Sequence, residues 1–237
     1  MIDFHSHILP SMDDGSKNEQ ESFLMLKELK KQGVNKVVAT PHFYANVESV
    51  EGFLLRRKAS FEKLNNFVGT DFPSVILGAE VRYYEGISRL ENLKKLCIKG
   101  TNMLMLEMPV AKWTDFVIKE LFSLASRGNF IVVLAHIERY IFMQPKSVFV
   151  DLLNRGVLMQ INVSFINGFF TRRKALKLLD SGMVHFIGTD CHNLSDRPPE
   201  MKTALNHISN NLGEDFLNNL ANYGKEIFRK NKDTIYF

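Results

Sequence analysis

Histidine and carboxylate side chains recur at the ends of the predicted strands, where they could together bind metal ions. The residues are His5, His7, Asp14, His42, Glu80, Glu107, His136, Asp190 and His192. The steps from His5 to His42, Glu80, Glu107 and His136 are 37, 38, 27 and 29 residues, lengths that suit a strand with its helix. Because the carboxyl ends of parallel strands open onto one face, we expect these residues to meet there.

The chemistry of this set favours divalent cations. Imidazole nitrogen and carboxylate oxygen without thiolate are ligands typical of manganese, iron or zinc, and not of a structural zinc site. Several carboxylates within a few ångströms repel one another, and cations remove that penalty. Nine residues exceed the needs of one ion, so we expect two or three ions sharing a bridging carboxylate. Such ions activate water at neutral pH and hold the oxygens of a phosphate.

Each histidine is a weak signal by itself, because a lone histidine at a strand end is more often structural. His5 and His7 are a better signal, since alternate residues of an extended segment point to the same side. His185 and His207 do not follow the pattern, because the first begins a predicted strand and the second lies in a predicted helix. We interpret both as structural residues.

The elements that must position these side chains are seven short apolar runs alternating with helical patterns. The predicted strands are Ile2–His5, Lys36–Thr40, Val75–Ala79, Met103–Glu107, Ile131–Ala135, Leu158–Asn162 and His185–Thr189. Asn18 and Thr114 are predicted to cap the helices that follow them. Buried strands alternating with helices favour a parallel sheet covered on both faces. Seven such units in 237 residues predict an α/β fold, a distorted seven-stranded (β/α) TIM-like barrel, as a single domain over 1–237.

Composition narrows the class of protein. Hydrophobic residues make up 45% and charged residues 24%, which is ordinary for a globular domain. The net charge of +4 is spread along the chain and does not favour a nucleic-acid partner. Two cysteines, Cys97 and Cys191, give no disulfide framework. No apolar stretch approaches 18 residues, so we expect no membrane insertion and a cytoplasmic location.

Six short motifs then resemble one known superfamily in order and spacing. They are His5–His7, Asp13–Gly15, Ala39–His42, Gly78–Glu80, His136–Tyr140 and Asp190–Asn193. The chain resembles the PHP (polymerase and histidinol phosphatase) superfamily over residues 1 to about 210. It is more closely similar to the bacterial metal-dependent tyrosine-protein phosphatases of capsule and exopolysaccharide operons. Ile137 and Cys191 replace the usual proline and alanine, and neither change removes a ligand.

The resemblance implies a distorted seven-stranded barrel with three metal ions, usually manganese. The first ion would be held by His5, His7, Glu80 and Asp190. The second would be held by Glu80, Glu107 and His136, so that Glu80 bridges the two. The third would be held by Asp14, His42 and His192. Arg139 and Arg197 match two arginines that hold the phosphate, a role that suits the planar guanidinium. For each arginine alone, a surface ion pair is the alternative.

The resemblance also implies a function: hydrolysis of phosphotyrosine on a bacterial tyrosine kinase that controls capsular or exopolysaccharide synthesis. Four alternatives remain. The site could serve a small-molecule phosphatase such as histidinol-phosphate phosphatase, a nuclease-type PHP module or a catalytically dead interaction module. Cys191 and Arg197 also have the spacing found in thiolate-dependent tyrosine phosphatases. That chemistry needs a loop whose backbone N–H groups bind the phosphate, and the loop between these two residues contains no glycine. The oligomeric state stays open.

Overall fold

Nine short strands form the centre of the protein, whose computed structural model describes residues 1–69 and 71–230. The strands are β1 (Ile2–Ser6), β2 (Lys36–Ala39), β3 (His42–Phe43), β4 (Ser74–Leu77), β5 (Glu80–Arg82), β6 (Met103–Glu107), β7 (Ile131–Leu134), β8 (Leu158–Asn162) and β9 (Phe186–Gly188). All paired strands are parallel. They form a three-stranded sheet in the order β1-β2-β4 and a six-stranded sheet in the order β3-β5-β6-β7-β8-β9.

Within the described residues, eight α-helices surround the strands. They are α1 (Glu19–Lys31), α2 (Val50–Phe67), α3 (Asp115–Ala125), α4 (Lys146–Asn154), α5 (Val163–Asn167), α6 (Arg172–Asp180), α7 (Met201–Leu212) and α8 (Glu214–Lys230). Between β5 and β6 the chain forms only two 3-10 helices, Ile87–Arg89 and Glu91–Leu96, where the repeat pattern predicts an α-helix. The predicted single domain extends to residue 237, and residues 231–237 lie outside the described part.

The parallel α/β architecture is confirmed, but the strand count differs from the predicted seven, because a further short strand follows each of the predicted strands Lys36–Thr40 and Val75–Ala79. Thr40 and Pro41 separate β2 from β3, and proline has no N–H to donate to a neighbouring strand. Gly78 and Ala79 separate β4 from β5. A Cβ at Gly78 would lie 3.2 Å from side-chain atoms of Thr40, so the two breaks pack against each other. Each break ends one sheet and begins the other.

The segment that follows β9 returns to β1 and curls the sheet. Asp190 N donates to His5 O at 2.8 Å, and His7 N donates to Cys191 O at 2.9 Å. These two backbone hydrogen bonds bring the last predicted ligand loop beside the first. The chain therefore places residues from both ends of the sequence at one edge of the sheet.

Both faces of the strands are apolar, which is why they are covered on both sides. Met103 and Met105 of β6 belong to one buried cluster, and the alternate residues Leu104 and Leu106 belong to another. No helix within residues 1–69 and 71–230 has the length and hydropathy needed to cross a membrane.

Candidate metal centre

All nine predicted ligand side chains lie together at the carboxyl ends of the strands. His5 and His7 come from the end of β1, His42 from β3, Glu80 from β5 and Glu107 from the end of β6. The other four lie in loops: Asp14 before α1, His136 after β7, and Asp190 and His192 after β9. Eight of the nine are buried or nearly so, whereas the Asp14 side chain is 65% exposed. The expected convergence of distant residues is thus present.

A first group of donor atoms combines two imidazoles and two carboxylates. His5 Nε2 lies 3.1 Å from Asp190 Oδ1 and 3.6 Å from Glu80 Oε2. His7 Nε2 lies 3.4 Å and 3.3 Å from the same two oxygens. Gly188 of β9 allows this approach, because a Cβ there would lie 2.5 Å from the Cβ of His5.

A second group shares Glu80 with the first. His136 Nε2 lies 2.6 Å from Glu80 Oε1 and 3.7 Å from Glu107 Oε1. Glu80 therefore turns one oxygen toward each group, as a bridging carboxylate must. His136 has a φ of 32° and Asp190 a φ of 52°, which are left-handed conformations that the surrounding fold must hold in place.

A third group lies nearest to solvent. Asp14 Oδ1 lies 3.5 Å from both His42 Nε2 and His192 Nε2. His42 also turns its Nδ1 toward Glu80 Oε2 at 3.1 Å, so its ring lies between the third group and the first.

Several buried polar atoms of these groups have no hydrogen-bond partner. They are His5 Nε2, His7 Nε2, His42 Nδ1, Glu80 Oε2, Glu107 Oε2, His136 Nδ1 and His192 Nε2. A buried polar atom without a partner costs about 1–3 kcal/mol, so seven in one place require an explanation. Divalent cations would satisfy most of them, and nitrogen and oxygen donors suit such ions. The residues therefore fit the metal site that the sequence predicts.

A layer of polar residues orients the candidate ligands, and the sequence analysis did not assign it. Asp13 Oδ2 accepts a hydrogen bond from His42 N at 2.8 Å and lies 2.7 Å from His7 Nδ1. Gln160 Oε1 accepts from His136 N at 2.7 Å. Asn162 Nδ2 donates to Asp190 Oδ2 at 2.8 Å. Such contacts fix ring and carboxylate orientation at metal sites. The signal that could have revealed Gln160 and Asn162 is their position as polar residues in the apolar strand β8.

The protonation of the centre is governed by competition between burial and neighbouring charge. Burial disfavours the charged imidazole of His7, but the carboxylates of Asp13, Asp190 and Glu80 together outweigh burial and raise the pKa of His7 well above its ordinary value. Burial would likewise raise the pKa of Glu80, yet the imidazoles of His5 and His136 hold it well below its usual range. Glu80 is therefore a carboxylate at neutral pH, which is the form that binds cations.

The thiol of Cys191 is unsuited to nucleophilic chemistry. Its side chain is fully buried, and that burial raises the pKa of the thiol well above its ordinary value. A catalytic thiolate needs the opposite shift and access to substrate. The structure therefore argues against the thiolate alternative.

The two predicted phosphate-binding arginines lie at the rim of the centre. Arg139 Nη2 and Arg197 Nη2 lie 2.8 Å and 2.6 Å from the same atom, Asp190 Oδ2. Arg139 Nη1 also contacts Glu107 Oε1 at 3.3 Å. Each guanidinium is about one-third exposed. Both line a cavity of about 410 Å³, here named the rim cavity, which Phe165 also lines.

The remaining histidines lie outside these groups, as predicted. His185 Nδ1 accepts a hydrogen bond from Met159 N at 3.1 Å, and His207 lies on α7. Neither contributes to any of the His/carboxylate groups found within residues 1–69 and 71–230.

A curled parallel sheet with adjoining His/carboxylate groups at its carboxyl edge defines a class of metal-dependent α/β proteins. Comparison with known proteins identifies the family within it. The model of the CpsB/CapC family, described as capsular polysaccharide synthesis, matches residues 1–235. The chain belongs to the CpsB/CapC family.

Characterised relatives agree with this assignment over almost their whole length. The chain is 30% identical to the tyrosine-protein phosphatase CpsB of Streptococcus pneumoniae, with 98% of this chain and 96% of the relative covered. It is 29% identical over 222 residues to the tyrosine-protein phosphatase YwqE of Bacillus subtilis, covering 91% and 86%.

A solved structure shares the fold. This structure belongs to the set of crystal structures of YwqE from Bacillus subtilis and CpsB from Streptococcus pneumoniae, which are described as metal-dependent tyrosine phosphatases. The TM-score is 0.79 at 26% identity, with 97% of this chain and 94% of the other covered.

Proposed function

We propose that this protein is a metal-dependent protein-tyrosine phosphatase. The observation that carries the proposal is the cluster of buried imidazole and carboxylate atoms that lack hydrogen-bond partners, with two arginines at its rim. The names of the CpsB and YwqE relatives support the same activity.

The ligand assignment follows the three groups of donor atoms. His5, His7, Glu80 and Asp190 would hold one ion, Glu80, Glu107 and His136 a second, and Asp14, His42 and His192 a third. The donor set suits manganese, and iron or zinc are the alternatives. When bound, such ions supply Lewis acidity to a phosphate ester and lower the pKa of water.

Arg139 and Arg197 would bind the non-bridging oxygens of the phosphate. Both guanidinium groups contact Asp190 Oδ2, and this contact fixes their positions. Each guanidinium keeps further N–H groups that can donate to a ligand. Charge on the phosphoryl oxygens in the transition state is then met by two preorganised cations.

The rim cavity suits the ring of a phosphotyrosine. Phe165 and Val163 supply apolar lining, and the two arginines supply cationic groups to the same cavity. An aryl phosphate ester has the same division into an apolar ring and an anionic head.

The substrate we propose is a bacterial tyrosine kinase that controls capsular or exopolysaccharide synthesis. The family description, capsular polysaccharide synthesis, supports this partner. We place the reaction in the cytoplasm. Cys97 and Cys191 are both buried free thiols, as is usual in a reducing compartment.

We further propose that the nine strands occupy seven positions of a distorted TIM-like barrel. In this description β2 with β3, and β4 with β5, are single interrupted strands. The backbone hydrogen bonds of His5 and His7 to the segment after β9 support closure between β9 and β1.

The test is activity on two substrates before and after metal removal. We expect hydrolysis of a phosphotyrosine peptide to be lost in excess chelator and restored best by manganese, with much lower activity on histidinol phosphate. Full activity in excess chelator would exclude the metal mechanism. Preference for histidinol phosphate would instead identify a small-molecule phosphatase.

A further inference from the structure

A second cavity, with a volume of about 330 Å³, lies beside the rim cavity and is here named the lysine cavity. It lies between the segment that begins α4 and the helix α6. Its apolar floor includes Phe149, Leu178 and Met183, and three lysines stand around it: Lys146, Lys174 and Lys177. The residues described so far as candidate ligands or phosphate-binding groups do not line it.

One pair of aromatic rings separates the two cavities. Phe165 lines the rim cavity, and Phe142 lines the lysine cavity. The centroids of these rings are 6.5 Å apart. Phe142 is 61% exposed, so its ring is a surface over which a bound chain can pass. The two cavities are therefore neighbours.

The charge around the lysine cavity is uncompensated. Among residues 1–69 and 71–230, Lys146, Lys174 and Lys177 have no carboxylate oxygen within 4 Å, and Lys174 Nζ lies 4.7 Å from the centre of the Phe142 ring. α6 concentrates this charge, since four of the six residues 172–177 are arginine or lysine. An apolar floor with a cationic rim is complementary to a segment that carries both apolar and acidic side chains.

We propose that the lysine cavity binds the acidic, apolar-containing segment that flanks the phosphotyrosine of the protein substrate. This inference rests on the proposed phosphatase function and adds a determinant of substrate choice to it. An apolar side chain of the flanking segment enters the cavity, and acidic side chains contact Lys174 and Lys177. An extended peptide advances about 3.3 Å per residue, so a flank of about three to five residues is long enough to cross the aromatic pair.

The experiment compares two phosphotyrosine peptides that differ only in the residues flanking the phosphotyrosine. The acidic peptide has glutamate and leucine in this flanking segment, and the second peptide has lysine and serine there. We expect wild-type protein, loaded with manganese, to have a lower KM for the acidic peptide. The double variant Lys174→Glu/Lys177→Glu should raise that KM about tenfold, the effect of about 1.4 kcal/mol of binding free energy. Hydrolysis of p-nitrophenyl phosphate, which has no flank, should be unchanged.

Two further variants sharpen the comparison. Phe142→Ala removes an exposed part of the apolar surface and should raise the KM of the acidic peptide without altering p-nitrophenyl phosphate hydrolysis. Lys63→Glu, on the exposed surface of α2, makes one lysine-to-glutamate change elsewhere and should leave the hydrolysis of both substrates unaffected.

The possible failures are distinguishable. Equal KM values for the two peptides, in wild type and double variant alike, with phosphotyrosine hydrolysis intact, would overturn this inference alone. A change of oligomeric state in the double variant with an unchanged peptide KM would overturn it in favour of a surface for a second copy of the chain. If wild-type protein hydrolysed no phosphotyrosine, the proposed function would fall, and this inference with it.

Discussion

Arg139 and Arg197 share one carboxylate oxygen, and this arrangement decides how each can act on a phosphate. Asp190 Oδ2 receives both guanidinium groups and Asn162 Nδ2. The arginines are therefore fixed before substrate arrives, so little reorganisation is needed in the transition state. The same contacts show that neither is an isolated surface ion pair, which was the alternative for each from the sequence.

We predict that Arg139→Lys and Arg197→Lys each lower kcat/KM for a phosphotyrosine peptide about a hundredfold. Lysine keeps the charge but loses the planar fork, and losing such a donor costs on the order of 3 kcal/mol. Metal content and melting temperature should stay nearly unchanged. Steady-state kinetics with metal analysis measures this, and Arg229→Lys on α8 is the matched control. Wild-type rates in either site variant would remove that arginine from phosphate binding.

His136→Ala and Cys191→Ser test which side chain carries the chemistry. His136 Nε2 lies among the second group of donors, so its loss should abolish nearly all activity and lower the metal content. Cys191 offers no atom to any of these groups, and its buried thiol has a raised pKa, so the serine variant should keep most activity. Both variants are assayed with metal analysis. An inactive Cys191→Ser protein with a full metal complement would restore the thiolate hypothesis.

At the scale of elements, the predicted N-cap residues correctly mark where two helices begin. Asn18 caps α1, with its side chain accepting from Glu21 N at 2.9 Å, and Thr114 caps α3. The reciprocal contact differs from a capping box, because Glu21 Oε2 accepts from Lys17 N rather than from the N-cap residue. The cap itself was predictable because it depends on neighbours within three residues.

We predict that Asn18→Ala lowers the free energy of unfolding by about 1 kcal/mol, because it leaves a helix N–H without its acceptor. Denaturant unfolding of the metal-loaded protein measures the change. Asn18→Ser keeps a capping oxygen and should stay close to wild type. If the serine and alanine variants lost the same stability, the cap would not be the cause.

At the scale of the whole molecule, the candidate ligands bring together segments that lie far apart in the chain. His5 and His192 belong to neighbouring groups although 187 positions separate them. Ions that bind only the folded state stabilise it by mass action, by about 2.7 kcal/mol at a hundred times the dissociation constant.

We therefore predict that chelation lowers the melting temperature and that manganese restores it. Calorimetric melting of protein with and without chelator measures the shift. His136→Ala should show a smaller metal-dependent shift than wild type, whereas His207→Ala, outside the groups, should show the full shift. An unchanged melting temperature after proven metal removal would contradict a stabilising metal centre.

The amino-acid sequence by itself determined the parallel α/β architecture and the set of residues that meet at its edge. Apolar runs such as Met103–Glu107 specify buried strands, and the spacing from His5 to His136 follows the length of a strand and helix. Since all parallel strands end at one edge, knowing that a residue ends a strand is enough to place it in the site. Periodicity and position along the chain carry that information.

Only the tertiary structure decided how those residues are held and what surrounds them. Short strands follow the breaks at Pro41 and Gly78, and Asp13, Gln160 and Asn162 orient the candidate ligands. The adjoining cavities are likewise products of packing, because Phe142, before α4, and Phe165, on α5, meet only in the folded chain. Each of these features depends on contacts between segments far apart in the chain. No local pattern encodes such contacts, because their geometry is set by side-chain packing across the whole fold.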